Sequence, residues 1–198
     1  STIISQMEYI YEAHDIVPRA LCEEIIEKFE NDNNKHVGEM EGGSYTKLKN
    51  TTDLHLIDNH PKWESTVQKL KEYLFLGMSK YFQHLNENVL RNKEYLLVQN
   101  FDTNISMTTL QIQKYETGGH YIWHGDNVRK HARLVAILIY LNDIDEESGG
   151  CTEFMNGKII KPRVGKIVFF PATWTYPHRG QKVEKGVKYI ISGFIHEN

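Results

Sequence analysis

The sequence predicts an α+β fold, mainly β, with helices in the N-terminal third and an antiparallel sandwich or barrel in the remainder. Two observations carry this. Apolar residues recur at helical spacing twice before residue 90, and from about residue 95 they fall into short β-branched and aromatic runs separated by Gly, Asn, Asp or Pro. With 198 residues, 40% of them hydrophobic, the chain is long enough for one domain with a substantial core. It is therefore read as a single domain over 1–198, with helical support over about 1–90 and a β core over about 95–198.

The first helix is expected after Pro18, in RALCEEIIEKFEN, where Leu21, Ile25, Ile26 and Phe29 share a face and the proline suits a first turn. Residues 31–52 are polar and contain glycine, the composition of a long loop or mobile hairpin. A second helix is expected from residue 61 to about 85, because Trp63, Val67, Leu70, Leu74, Met78, Tyr81, Phe82 and Leu85 recur at its period. The strands that follow are LLVQNF, TTLQIQKY, LVAILIYL, TEFM, KIIKP, KIVFFP and KYIISGFI. Short strands at such spacing are the mark of a sandwich or barrel.

Composition excludes several classes of function. The longest apolar run, residues 134–141, has eight residues, against roughly 20 for a membrane-crossing helix. No basic segment followed by an apolar core stands at the N-terminus, so a cytoplasmic setting is the default. Net charge is -3 with both signs interspersed, which argues against nonspecific nucleic-acid binding. Cys22 and Cys151 are too few and too far apart for a disulfide framework.

Chemistry concentrates in GGHYIWHGDNVRKH, residues 118–131, where His124 and Asp126 stand two apart. In an extended segment residues i and i+2 face the same way, so an imidazole and a carboxylate can converge on one ion. Alone, the pair also reads as a surface histidine beside a turn aspartate. A third ligand must come from a distant strand, and His131, His178 and His196 are the downstream candidates. His178, in PATWTYPHRG, follows the apolar run KIVFFP, at a strand edge. Two histidines and a carboxylate suit a nonheme Fe(II) oxygenase, and zinc hydrolases use the same side chains. Lys188, ten residues beyond His178 in an otherwise apolar strand, separates the two. Facing inward beside a metal, its ammonium requires an anion to meet it, and a metal-bound dicarboxylate would do so. Facing outward, it is an ordinary strand lysine.

The ordered segments QKYETGGHYIWHGD, RLVAILIYLND with ESGGCTEF, IKPRVGKIVFFP, PHRG and GVKYIISGFIH resemble the iron(II)- and 2-oxoglutarate-dependent dioxygenases of the prolyl 4-hydroxylase-like branch. The resemblance implies a double-stranded β-helix (jelly-roll) core with supporting N-terminal helices. It implies Fe(II), 2-oxoglutarate and O2 as cofactors and cosubstrates, and ascorbate as an accessory. His124, Asp126 and His178 match the iron ligands, and Lys188 matches the residue that pairs with the far carboxylate of 2-oxoglutarate. Tyr115 and Thr152 match residues of the cosubstrate pocket. Tyr121 and Arg133 match positions that hold substrate in peptide hydroxylases, and Phe194 stands where many relatives have tryptophan, keeping an aromatic wall without the indole N–H. The implied reaction hydroxylates a C–H bond, peptidyl proline first, with succinate and CO2 as coproducts. The implied partner is a proline-containing peptide or protein, with no nucleic acid and no membrane.

Two other readings stay open: the same chemistry on a free amino acid or small metabolite, and a noncatalytic metal-binding module on a cupin-like barrel. Thr152 reads equally well as a β-former, Tyr121 as a strand aromatic and Arg133 as a solvated strand-start charge. His120 reads as a rim residue and His131 as solvated. Gly149 and Gly150 read as turn glycines and Cys151 as a small core residue. Residues 36–53 are read either as a lid over the substrate or as an exposed loop.

Overall fold

The computed structural model describes residues 9–56, 61–90, 105–127 and 132–197. The expected strand LLVQNF and His131 lie outside them.

Strand β1 (Tyr11–Ala13) precedes helix α1 (Arg19–Glu30), and short strands β2 (His36–Val37), β3 (Lys49–Asn50) and β4 (Thr52–His55) follow. Helix α2 (Glu64–His84) is entered through a 3-10 turn at Pro61–Trp63 and continues into a wider π-type turn, Leu85–Leu90. Then come β5 (Ile105–Tyr115), β6 (His120–His124), β7 (Arg133–Tyr140), β8 (Thr152–Phe154), β9 (Ile159–Ile160), β10 (Ile167–Pro171), β11 (His178–Gly180) and β12 (Lys188–Glu197).

Every pairing between these strands is antiparallel. The major sheet has the order β1-β10-β7-β12-β5-β4-β2 and the minor sheet β3-β6-β11-β8-β9. Period-2 alternation then sorts the side chains. Leu110, Ile112, Ile137, Ile139, Ile167, Phe169 and Ile191 face a core shared with Leu21, Ile25 and Phe29 of α1 and Val67, Leu70 and Leu74 of α2. The residues between them, Ala136, Leu138, Tyr140, Val168, Phe170 and Ile190, pack on the other side with Phe154 and Ile160 of the minor sheet. Central strands are thus buried on both faces, which is why LVAILIYL is apolar throughout instead of alternating. This is the mainly-β arrangement with supporting helices that the sequence predicts.

The N-terminal third also supplies strands, which its sequence does not announce. β1 pairs with β10, β2 and β4 extend the major sheet, and β3 edges the minor one. The polar segment read as a loop is therefore anchored in strands at both ends. Strands of two to four residues carry too little periodicity to register, and their inward residues here, Lys49, Thr51 and Asp53, are polar groups bonded to one another. No described helix is long and apolar enough to cross a membrane.

Gly77 of α2 lies against the sheet. A Cβ there would come within 2.9 Å of Phe169 Cζ, on a fully buried ring stacked 5.4 Å from Tyr81. Helix propensity alone favours alanine over glycine by about 1 kcal/mol. We expect the opposite sign: overpacking against a ring that cannot swing away should make Gly77→Ala less stable by about 1–2 kcal/mol. Urea unfolding checks this, and a stabilised variant would contradict the packing described.

A candidate metal centre between the two sheets

β6 and β11 are neighbours in the minor sheet, and their register sets His124 directly opposite His178. The two imidazoles lie with ring centroids 4.4 Å apart. Just beyond the end of β6, the chain brings Asp126 back to both: Oδ1 is 3.6 Å from His124 Nε2 and Oδ2 is 3.4 Å from His178 Nε2. One ligand atom from each of the three residues lies within 4.8 Å of the others.

Hydrogen bonding sets the tautomers. His124 Nδ1 lies 2.7 Å from the Ile122 carbonyl and His178 Nδ1 lies 3.0 Å from that of Tyr176. A carbonyl only accepts, so each Nδ1 carries a proton and each Nε2 is the atom turned toward Asp126. Burial, reinforced by the nearby His178, holds His124 well below the usual histidine range and so keeps it neutral. Two nitrogen lone pairs facing a carboxylate across 3.4–3.6 Å are the donor set a divalent cation needs. The three residues therefore fit an Fe(II) ion with coordination positions left over, and they fit zinc equally well.

The second half of the site hangs from the major sheet. Lys188 opens β12 opposite Tyr115, the last residue of β5, and is 1% exposed. Its ammonium donates to the Gly150 carbonyl at 2.8 Å and lies 4.1 Å from the centre of the Tyr115 ring. No carboxylate pairs with it among the described residues. Burial pushes its pKa down to about 7, while Cys151 draws it slightly back. The inward alternative for Lys188 is thus the one adopted. The Tyr115 hydroxyl donates to Gln113 Oε1 at 3.2 Å, and the Thr152 and Tyr140 hydroxyls share a 2.6 Å bond.

Both halves open on one cavity of about 360 Å³, lined by all nine residues singled out in the sequence: the three ligand candidates, Lys188, Tyr115, Thr152, Tyr121, Arg133 and Phe194. Tyr121 packs edge-on to His124, and burial followed by the charge of Asp126 raises its hydroxyl to about 12. Arg133 is not a solvated charge: its guanidinium stacks 3.7 Å from the Phe194 ring centre and donates to the Asp126 carbonyl at 3.0 Å. Its Nε is buried and has no hydrogen-bond partner among the described residues.

His120 Nδ1 and Nε2 lie 3.1 Å and 2.9 Å from the carbonyl oxygens of Gly118 and Lys47 and the residue takes no part in the triad, and His196 belongs to β12 opposite Arg133. Gly149 and Gly150 adopt positive φ, as turn glycines do. Burial raises the Cys151 thiol, which suits a packing residue. Lys49, Gln111, Gln113 and Ser192 also line the cavity and were not singled out. Gln113 and Gln111 sit two and four residues before Tyr115 on β5, so period-2 counting from Tyr115 would have found them.

Residues 110–196 match the family model of the 2OG-Fe(II) oxygenase superfamily. The chain is similar in fold to the prolyl hydroxylase from Trichoplax adhaerens solved with a hypoxia inducible factor peptide fragment. That match has a TM-score of 0.73 and 16% identity, covering 97% of this chain and 86% of that one. It is also similar to a prolyl-4-hydroxylase from Pseudomonas putida (TM-score 0.70, 14% identity, 96% and 93% covered). A third likeness is to the viral collagen prolyl hydroxylase from Paramecium Bursaria Chlorella virus-1 (0.66, 19%, 96% and 97%). No curated protein sequence matches. Residues 110–196 thus carry the 2OG-Fe(II) oxygenase pattern on a prolyl 4-hydroxylase-like fold, as the motifs implied.

An ammonium without a counterion should weaken the ligand-free protein. Lysine in the unfolded chain titrates near 10.4 and Lys188 in the fold near 7. Below about 7 both states are charged and the burial penalty is full; between about 7 and 10 folding releases a proton, so stability rises with pH. Lys188→Met should therefore raise the thermal midpoint of the metal-free, cosubstrate-free protein at about pH 6, with a smaller gain near pH 9. An unchanged or lowered midpoint at about pH 6 would show that the ammonium carries no such penalty.

Proposed function

We propose that the protein is an Fe(II)- and 2-oxoglutarate-dependent dioxygenase that hydroxylates a C–H bond of a peptide or protein, peptidyl proline first, releasing succinate and CO2. The observation that carries this reading is the uncompensated ammonium of Lys188 in the same cavity as the His124, Asp126 and His178 triad. A zinc hydrolase or a noncatalytic cupin-like module has no use for it, whereas a dicarboxylate needs one anchor at each end. Bound there, iron and 2-oxoglutarate supply the oxidising power, with ascorbate as an accessory reductant in turnover.

The chain's own residues hold and orient. His124 and His178, each through Nε2, and the Asp126 carboxylate would ligate the iron. Lys188 would pair with the distal carboxylate of 2-oxoglutarate, where replacing water by a buried ion pair restores the charge balance the fold lacks. The Tyr115 hydroxyl would turn from Gln113 to that same carboxylate, and Thr152 would line its berth. On the substrate side, Tyr121, Arg133 and Phe194 form the wall, and the buried Nε of Arg133 offers a donor that an incoming acceptor would satisfy. Exposed residues between β2 and β3, with Glu39 and Met40 already at the cavity, would cover the substrate and exclude water. The single domain over 1–198 is part of the same reading. So is a cytoplasmic setting, which two free, buried cysteines suit.

Under anaerobic conditions, Fe(II) and 2-oxoglutarate together should give the visible charge-transfer band of the chelate, and oxygen should then give succinate. His178→Ala should abolish iron-dependent turnover. Lys188→Ala should weaken 2-oxoglutarate binding roughly 30-fold or more, the consequence of losing a buried charge partner. Absence of both the band and succinate with the intact protein would overturn the reading.

A further inference from the structure

The back of the minor sheet carries a cluster that the cavity does not use. Arg179 of β11 stacks its guanidinium 4.9 Å from the centre of the Trp123 ring on β6. It also donates, through Nε at 2.7 Å and Nη2 at 2.6 Å, to Glu153 Oε2 on β8, which accepts from Gln181 Nε2 at 3.0 Å as well. His178 and Gly180 on either side of Arg179 line the cavity, so by alternation the arginine points away from it.

This cluster sits on an irregularity in the ladder. His178 pairs with His124 and Gly180 with Tyr121, so β6 sets two residues, Ile122 and Trp123, against the single Arg179 of β11. Two against one is a β-bulge, and its consequence is a change of parity. Tyr121 and His124 are three positions apart, which in a regular strand would turn them to opposite faces, yet both line the cavity. The bulge also contributes the Ile122 carbonyl, 2.7 Å from His124 Nδ1, which leaves Nε2 toward Asp126. The direction of His124 and the orientation of its ring therefore both depend on the backbone at Ile122 and Trp123.

A bulge leaves its extra residue outside the ladder, so strand pairing alone does not hold it. Trp123 is 36% exposed, and the Arg179 guanidinium covers its ring. A planar guanidinium can stack on an indole and bond a carboxylate along its edge at the same time, which an ammonium cannot match. Trp123, Arg179 and Glu153 thus tie β6, β11 and β8 together behind the two histidines.

We propose that Arg179 is a positioning residue for the metal centre: braced by Glu153 and stacked on Trp123, it pins the β6 bulge that turns His124 inward. This rests on the metal-centre part of the reading above and adds a residue that touches neither metal, cosubstrate nor substrate.

The test titrates Co(II), a coloured stand-in for Fe(II), into the metal-free full chain and follows its visible d–d band. Wild type is compared with Arg179→Met, Trp123→Leu, Trp123→Phe and the double variant Arg179→Met, Trp123→Leu, with thermal midpoints of the metal-free proteins alongside. Arg179→Met and Trp123→Leu should each weaken Co(II) binding about tenfold, the order expected on losing a group that orients a ligand, and should alter the band. Trp123→Phe keeps a ring face and should stay near wild type. The double variant should lose little more than either single one, because the two side chains act as a unit. Should Arg179→Met fail to fold, the contrast between leucine and phenylalanine at Trp123 carries the same test. Unchanged Co(II) affinity and band in Arg179→Met or Trp123→Leu, even with a lowered thermal midpoint, would overturn the proposal by leaving the cluster a purely structural role. So would an equal loss in Trp123→Leu and Trp123→Phe, or losses that multiply in the double variant. Failure of the metal-centre reading is separately visible, as a wild type that gives no Co(II) band.

Discussion

The interaction on which the site depends is one the ligand-free protein does not make: a counterion for Lys188. Its ammonium has a backbone carbonyl and an aromatic face for neighbours, and burial depresses its pKa to about 7. Such a group is held in place by the elements around it, through its position opposite Tyr115 in the β5–β12 ladder. The cost to the empty fold is recovered only when an anion enters. Binding energy is in this sense stored in the architecture, and it favours an anionic ligand over a neutral one.

Strand register supplies the rest. One antiparallel pair, β6 with β11, puts His124 beside His178; another, β5 with β12, puts Tyr115 beside Lys188. Because the pairs belong to different sheets, the ligand triad and the ammonium lie on opposing walls of one cavity, where a dicarboxylate could span them. A register slip of one residue in either ladder would turn these side chains to the other face and dismantle the site. Packing of the central strands on both faces, against the helices on one and the minor sheet on the other, fixes which way each side chain points. Core packing and chemistry are therefore two readings of the same period-2 pattern.

Much of this was legible in the chain. His124 and Asp126 could be paired by the geometry of an extended strand, and the two helices by their apolar faces. The motifs from Gln113 to His196 pointed to the remaining site residues, all of which line the cavity. What escaped notice was polar and short. β1 has three residues and β3 two, below the length at which alternation shows. The Lys49, Thr51 and Asp53 series does alternate, but its inward members are charged or hydroxylated, and such a series looks like a solvated loop until the partners that neutralise it are known. For Arg133 the motif and the local sequence pointed different ways: a strand-start arginine is ordinarily exposed, and Phe194, sixty-one residues later in sequence, gives it a ring to stack on.

The most direct measurement is the proton balance of 2-oxoglutarate binding to the Fe(II)-loaded protein under argon, by titration calorimetry in buffers of different ionisation enthalpy. At about pH 8.5 Lys188 is largely neutral in the empty site, and an arriving carboxylate should return its proton. Uptake should be close to one proton per ligand there and should fall toward zero at about pH 6. Binding with no proton uptake at about pH 8.5 would contradict the account, because Lys188 would then not be the group that meets the anion.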